Sequence, residues 1–75
     1  MNTRKAIKTI REENGLSRTD LAKRVGITPA SIWKIEAGKT QAKNETIESI
    51  CFALRVPLAR FYTLALEPRD FGLID

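Results

Sequence analysis

Apolar residues recur along the chain at the spacing of α-helices, and the alternation of apolar and polar residues that marks a half-buried strand is nearly absent. Five segments carry the helical spacing: residues 3–13, 18–25, 29–37, 45–54 and 57–67. The stripe is clearest in the fourth segment, where Ile47, Ile50, Cys51 and Leu54 lie on one face. The pattern therefore predicts an all-α domain of five short helices.

Helix-capping residues separate the second and third predicted helices by a very short turn. Ser17 is a favourable N-cap for the second helix, and Gly26 permits the left-handed backbone that ends it. Thr28 and Pro29 then supply a cap and a first helical residue for the third helix. Asn44 is the expected cap of the fourth helix. Two helices joined by so short a turn cross steeply, as in a helix-turn-helix unit.

That unit needs a small residue where its helices cross, a glycine in the turn and apolar anchors. The second and third segments contain such residues: Leu21, Ala22, Gly26, Ile32 and Ile35. A generic helical hairpin is the alternative, but the residues and caps together favour the helix-turn-helix.

The charge is unevenly distributed along the chain. Residues 1–43 contain ten lysines and arginines and four acidic residues, a formal charge of +6, whereas residues 44–75 contain three and five, a charge of −2. A basic first part suggests a face for phosphates, although chance asymmetry on a solvated surface gives the same numbers.

The remaining composition narrows the functional classes. One cysteine and no histidine exclude an intramolecular disulfide and a Cys/His metal site, and they leave no nucleophile–base pair. No apolar run approaches the ~20 residues of a membrane span. We therefore expect a cytoplasmic protein that is not an enzyme and uses no metal or cofactor.

Four segments together resemble the Xre-like helix-turn-helix family of phage repressors and Cro proteins. They are IKTIREENGLS (7–17), DLAKRVGIT (20–28), SIWKIEAGK (31–39) and ETIESICFALRVPLARFY (45–62). The resemblance implies a five-helix, repressor-like DNA-binding domain over residues 1–67, with a short tail at 68–75. It also implies that the third helix enters the major groove of double-stranded DNA and that a homodimer binds a palindromic operator.

Three residues depart from the family's usual pattern. Asn44 stands where the family often has an apolar residue. Arg18 stands where the family commonly has glutamine, and it keeps a long polar donor there. Arg55 stands where the family commonly has glycine, so the fourth helix must end either with a left-handed arginine or in a different way.

A helical wheel places the outward face of the third helix opposite Ile32 and Ile35. In a helix-turn-helix this face meets the bases, so we expect base contacts from Ala30, Ser31, Trp33 and Lys34. Trp33 has three interpretations that the sequence leaves open. It contacts DNA, it is partly covered by the protein's own side chains, or it contacts a protein partner.

Phosphate contacts are expected to flank that helix, at Arg11, Arg18, Thr28, Lys39 and Lys43. Arg11 has a second expected role. The family resemblance implies that it forms a structural salt bridge with Glu36.

Exposed apolar residues suggest a dimer interface at Phe52, Leu66, Phe71, Leu73 and Ile74. The alternative is that the tail folds back on its own domain. The function that fits best is a sequence-specific transcriptional regulator, specifically a dimeric repressor. The alternatives are an antitoxin or protein-binding module that also binds DNA, and a controller of a restriction–modification system.

Overall fold

The structure, a computed structural model, describes residues 1–72, and within them the chain forms helices and no strand. The elements follow in the order α1 (Thr3–Glu13), α2 (Arg18–Val25), α3 (Pro29–Glu36), α4 (Asn44–Leu54) and α5 (Leu58–Ala65), with a short 3-10 helix (Pro68–Phe71) after them. The prediction of an all-α, five-helix fold is confirmed. None of the described helices is long and apolar enough to cross a bilayer.

Local caps explain where α2 and α3 begin. The Ser17 hydroxyl accepts from the Asp20 N–H at 3.0 Å, and the Asp20 carboxylate accepts from the Ser17 N–H at 3.4 Å, which completes a capping box. The Thr28 hydroxyl accepts from the Ser31 N–H at 3.2 Å. Each cap satisfies N–H groups that a helix start leaves without an intrahelical acceptor.

The expected cap of α4 is wrong. The helix already includes Asn44, and its N-cap is Lys43, which has an extended backbone and makes no side-chain cap hydrogen bond. Because Asn44 has helical geometry, its side chain is not in the position from which an N-cap reaches the first turn.

All five helices contribute to one core. The largest fully buried side chains are Ile7, Ile10, Leu21, Ile32, Ile50 and Phe61. Helix α1 packs against α5 and α3, and α2 packs against α3 and α4. The Cys51 thiol is also buried, and that burial raises its pKa. Cys51 therefore serves as a small apolar core residue.

Helix α4 ends with a left-handed arginine, the first of the two endings expected from the sequence. Arg55 has φ 55° and ψ 41°, and it is the only residue other than glycine with a positive φ among residues 1–72. The Val56 N–H donates to the Cys51 carbonyl at 2.8 Å, and the Arg55 N–H donates to the Phe52 carbonyl at 3.2 Å. This pair of bonds is a Schellman motif, in which glycine is the usual left-handed residue.

The beginning of the predicted tail is hydrogen-bonded to its own domain. The Asp70 carboxylate accepts from the Glu67 N–H at 2.8 Å and from the amino group of Met1 at 3.0 Å. The Asn2 N–H donates to the Ala65 carbonyl at 2.6 Å. These contacts place the 3-10 helix beside the start of α1. The domain boundary at residue 67 stays a prediction.

Candidate nucleic-acid interface

Three residues connect α2 to α3, and their geometry explains the tight turn. Gly26 has φ 83° and ψ 28°, a left-handed conformation that disfavours residues with a Cβ. The N–H groups of Gly26 and Ile27 both donate to the Ala22 carbonyl, at 2.8 and 3.0 Å. Thr28 then caps α3. Ala22 and Ile32 are fully buried, and α2 and α3 pack against each other on either side of the turn.

The outer face of α3 lies where the helical wheel places it. Ile32 and Ile35 are buried, at 0% and 6% exposure, whereas Trp33 is 44% exposed. The other exposed residues of this face are Ala30, Lys34 and Ala37. The helix therefore offers solvent a surface made mainly of alanine and tryptophan, with one lysine.

Ser31 is hydrogen-bonded to the N-cap residue of α3. Its hydroxyl lies 2.9 Å from the Thr28 hydroxyl, and its N–H donates to the same oxygen. Ser31 is also half-buried. These contacts leave it less able to contact a base than the sequence suggested, and they leave Lys34 as the main polar side chain on the outer face.

Trp33 contacts a lysine of its own chain, which is the kind of coverage that the second of its three interpretations describes. The Lys39 ammonium lies over the indole ring, 5.0 Å from its centroid, within the range of a cation–π interaction. The loop after α3 makes this possible, because the N–H groups of Gly38 and Lys39 donate to the carbonyls of Ile35 and Lys34 at 3.0 and 2.9 Å. Those bonds turn the chain back along α3. The Lys39 side chain therefore covers part of the Trp33 indole ring.

Glu36 joins α1, α2 and α3 through a shared carboxylate. It accepts from Arg11 Nε at 2.8 Å, from Arg11 Nη2 at 3.0 Å and from Arg18 Nε at 3.1 Å. The side chains of Glu36 and Arg11 are only 2% and 11% exposed. The hydrogen bond to Glu36 raises the pKa of Arg11, because it favours the charged guanidinium. The ion pair is therefore part of the folded core.

One predicted role changes because of this cluster, the phosphate contact expected from Arg11. The third Arg11 donor, Nη1, bonds the Leu16 carbonyl at 2.9 Å, so every nitrogen of its guanidinium has a protein acceptor. The structure thus favours a structural role for Arg11 over the predicted phosphate contact. Arg18, in contrast, is 46% exposed and uses only Nε on Glu36. The hydrogen bond from Arg18 to Glu36 joins residues 18 positions apart, so no short stretch of sequence predicts it.

A second basic residue, Lys43, lies near Lys34 of α3. Lys34 and Lys43 line one surface depression together with Ser31 and Thr46. Lys43 is exposed and precedes α4, whose first turn lacks a side-chain cap. The uncapped N–H groups there add to the positive potential beside Lys43. The sequence did not predict these uncapped N–H groups, because Asn44 was the expected cap.

The predicted dimer residues have different surroundings. Phe52 is 88% exposed and borders a groove with Arg24, Val25 and Ala53. Leu66 is 37% exposed and directly follows α5. The backbone of Phe71 ends the 3-10 helix, and Leu73 and Ile74 lie outside the described residues. Of Phe52 and Leu66, the two members of the predicted set whose side chains the structure describes, Phe52 is the more exposed.

The five-helix fold and the packed α2–α3 pair with its three-residue turn define a helix-turn-helix domain. A model of the helix-turn-helix family matches residues 7–61 of the chain. The chain therefore belongs to this family, the Xre-like group of DNA-binding transcription regulators.

A solved structure has the same fold. It is the crystal structure of the clp gene regulator ClgR from C. glutamicum, with a TM-score of 0.78 over 84% of this chain and 82% of that chain. The two sequences are 24% identical, and the likeness shows the shared fold. Among curated protein sequences, none matches this chain.

Proposed function

We propose that the protein is a sequence-specific repressor that binds a palindromic DNA operator as a homodimer, with α3 in the major groove. The observation that carries this proposal is the exposed face of α3, formed by Ala30, Trp33 and Lys34, beside the basic residues that flank it. Family membership supports DNA as the ligand. In this docking geometry the first turns of α3 approach the base edges most closely.

Lys34 is the residue proposed to read a base by hydrogen bonding. It is exposed on the outer face, and its ammonium can donate to the O6 and N7 acceptors of guanine. Ala30 is proposed to pack on a base from the first turn. Ser31 is the less favourable of the predicted base contacts, because its hydroxyl is hydrogen-bonded to the Thr28 hydroxyl.

Arg18 is the phosphate contact that the geometry supports best. Its Nε is bonded to Glu36, which orients the guanidinium, and its terminal nitrogens have no partner within residues 1–72. It is also the first residue of α2, where N–H groups and the helix dipole favour an anion. Lys43, Lys39 and Thr28 are proposed to complete the phosphate contacts around α3.

A dimer is proposed because two half-sites bound together raise the effective affinity for an operator. Phe52 lines a groove together with Arg24, Glu45 and Glu48, so it offers an apolar group with both signs of charge near it. Such a patch can pair with its own copy across a two-fold axis. Leu66 is a second candidate for this interface, and Phe71, Leu73 and Ile74 stay predictions.

Repression is proposed because operator occupancy alone can exclude polymerase from an overlapping promoter. It requires only the DNA interface and the dimer described above. An in vitro transcription assay on a promoter that contains the selected operator tests the direction of regulation. A rise in transcript with added protein would contradict repression.

Selection of bound DNA from a random pool tests sequence-specific binding. We expect an enriched palindromic site. Lys34→Ala should relax the preference at one base position in each half-site, whereas Arg18→Ala should weaken binding to every sequence and reduce the salt dependence. A pool that shows no enrichment would contradict sequence-specific reading. An unchanged site with Lys34→Ala would contradict the proposed face.

Sedimentation equilibrium over a range of concentrations tests the dimer. We expect self-association of the parent protein, and weaker association of Phe52→Ser. Because Phe52 is 88% exposed in the single chain, this substitution should leave the thermal unfolding midpoint nearly unchanged at concentrations where the parent protein is monomeric. A protein that stays monomeric even on operator DNA would exclude the homodimer.

A further inference from the structure

The face that α3 offers to DNA contains little that can hydrogen-bond. Ala30 and Ala37 have only methyl groups, and Lys34 has a single ammonium. The Ser31 hydroxyl is engaged by Thr28. The largest exposed element is the Trp33 ring, at 44% exposure. This surface matches apolar features of the base edges better than polar ones.

The major groove has one apolar group on its base edges, the methyl at position 5 of thymine. The same methyl is present in 5-methylcytosine. We propose that Trp33 recognises pyrimidine 5-methyl groups in the bound DNA, with Ala30 beside it on the same face. This inference rests on the proposed DNA-binding function and specifies which chemical group the site recognises.

The position of the indole ring supports a contact of this kind. The Lys39 ammonium lies 5.0 Å from the ring centroid, so it restricts the ring and covers part of one side. Lys39 is itself placed by the hydrogen bonds that end α3. A ring that is already oriented loses less freedom on binding than a free side chain does. The uncovered part of the ring remains available to the groove.

The test begins with the operator obtained by selection. Each thymine is replaced in turn by deoxyuridine, which removes the 5-methyl and nothing else. At one or two positions in each half-site we expect affinity to fall about three- to fivefold, the effect of burying one methyl-sized group. Fluorescence anisotropy of labelled DNA measures these ratios.

Two variants assign the methyl effect to the ring. Trp33→Ala should bring the thymine-to-uracil affinity ratio close to one, whereas Trp33→Phe should keep most of it. The matched control is Lys34→Ala, which should lower affinity and yet keep the ratio, because it removes a donor and leaves the ring. Circular dichroism melts check that each variant folds.

A further pair of oligonucleotides distinguishes the two sources of the methyl. At the sensitive positions, cytosine is compared with 5-methylcytosine. If methylation of cytosine raises the affinity, the methyl group is sufficient for recognition. If the affinity rises only from uracil to thymine, the site also requires thymine's other groups.

Three results would overturn the inference. An operator that binds well with no thymine-to-uracil difference at any position contradicts methyl recognition, and so does a difference that persists in Trp33→Ala. Both results leave the proposed function standing. A failure to select any operator would instead overturn the proposed function, and the inference with it.

Discussion

Replacing Glu36 should destabilise the fold far more than replacing an exposed acidic residue. The carboxylate accepts three hydrogen bonds from two arginines and is 2% exposed. Glu36→Ala removes all three acceptors at once. Arg11, at 11% exposure, would keep only its bond to the Leu16 carbonyl. A buried charge without its partner is costly because the interior solvates it poorly.

The expected magnitude follows from the two halves of the cluster. The buried Arg11–Glu36 pair belongs to the class for which removal of one partner costs about 3–5 kcal/mol. Arg18 is half-exposed, so its share is at most about 1 kcal/mol. Arg11 lies near enough to the surface to recover some hydration, which places the total loss for Glu36→Ala at about 3 kcal/mol. In a domain of this size, that lowers the unfolding midpoint by roughly 15–20 °C.

Urea denaturation followed by circular dichroism measures the free energy of unfolding. Glu48→Ala is the matched control, because Glu48 is an exposed residue of α4 that forms no ion pair within residues 1–72, and it should change stability by less than about 0.5 kcal/mol. Glu36→Gln keeps the shape and one acceptor oxygen, so its loss should be intermediate. If Glu36→Ala and Glu48→Ala unfold at the same denaturant concentration, the cluster does not stabilise the fold and the reasoning fails.

Three further predictions concern the backbone and the surface charges. Arg55→Gly should stabilise the protein by about 0.5–1 kcal/mol in urea denaturation, because it relieves the left-handed strain at the end of α4; an equal or lower stability would contradict that assignment. Gly26→Ala should destabilise the protein by about 1–2 kcal/mol, because alanine disfavours the left-handed backbone of this turn. The added Cβ would meet no atom within 4 Å outside the two adjacent residues, so backbone strain and not a clash causes the loss. A neutral result would mean that the α2–α3 turn can relax. The Arg60 guanidinium donates a hydrogen bond to the Glu13 carboxylate and lowers the pKa of that carboxyl. The pair therefore stabilises the fold at pH values above the unfolded-state pKa of Glu13. This stabilisation is lost as the pH falls through the lower folded-state pKa. Arg60→Gln should therefore raise the pKa of Glu13 in a carboxyl-carbon NMR titration, and an unchanged titration would show that the pair does not persist in solution.

The candidate site was predictable from sequence to the extent that helical periodicity determines it. Since Ile32 and Ile35 must face inward, Trp33 and Lys34 must face outward, whatever surrounds the helix. The partners of these side chains were harder to predict. Lys39 reaches Trp33 because the chain reverses after Gly38, and the sequence alone did not indicate where the lysine would then lie.

The sequence by itself determined the number, order and approximate limits of the helices. Capping at Ser17 and Thr28 involves residues three positions apart, so its outcome depends little on the rest of the fold. Tertiary packing decided what the local signals left open. Asn44 is helical although its side chain suits a cap, and Arg55 adopts a left-handed conformation in which glycine is usual.

The shared carboxylate of Glu36 shows the same division most clearly. The family resemblance predicted its pairing with Arg11, but the additional bond from Arg18 depends on how α1, α2 and α3 converge. Such a convergence sums many weak apolar contacts between distant segments, and no short stretch of sequence encodes it. Local hydrogen bonds thus determine the elements of this protein, whereas long-range burial determines which charged groups meet and which stay available for DNA.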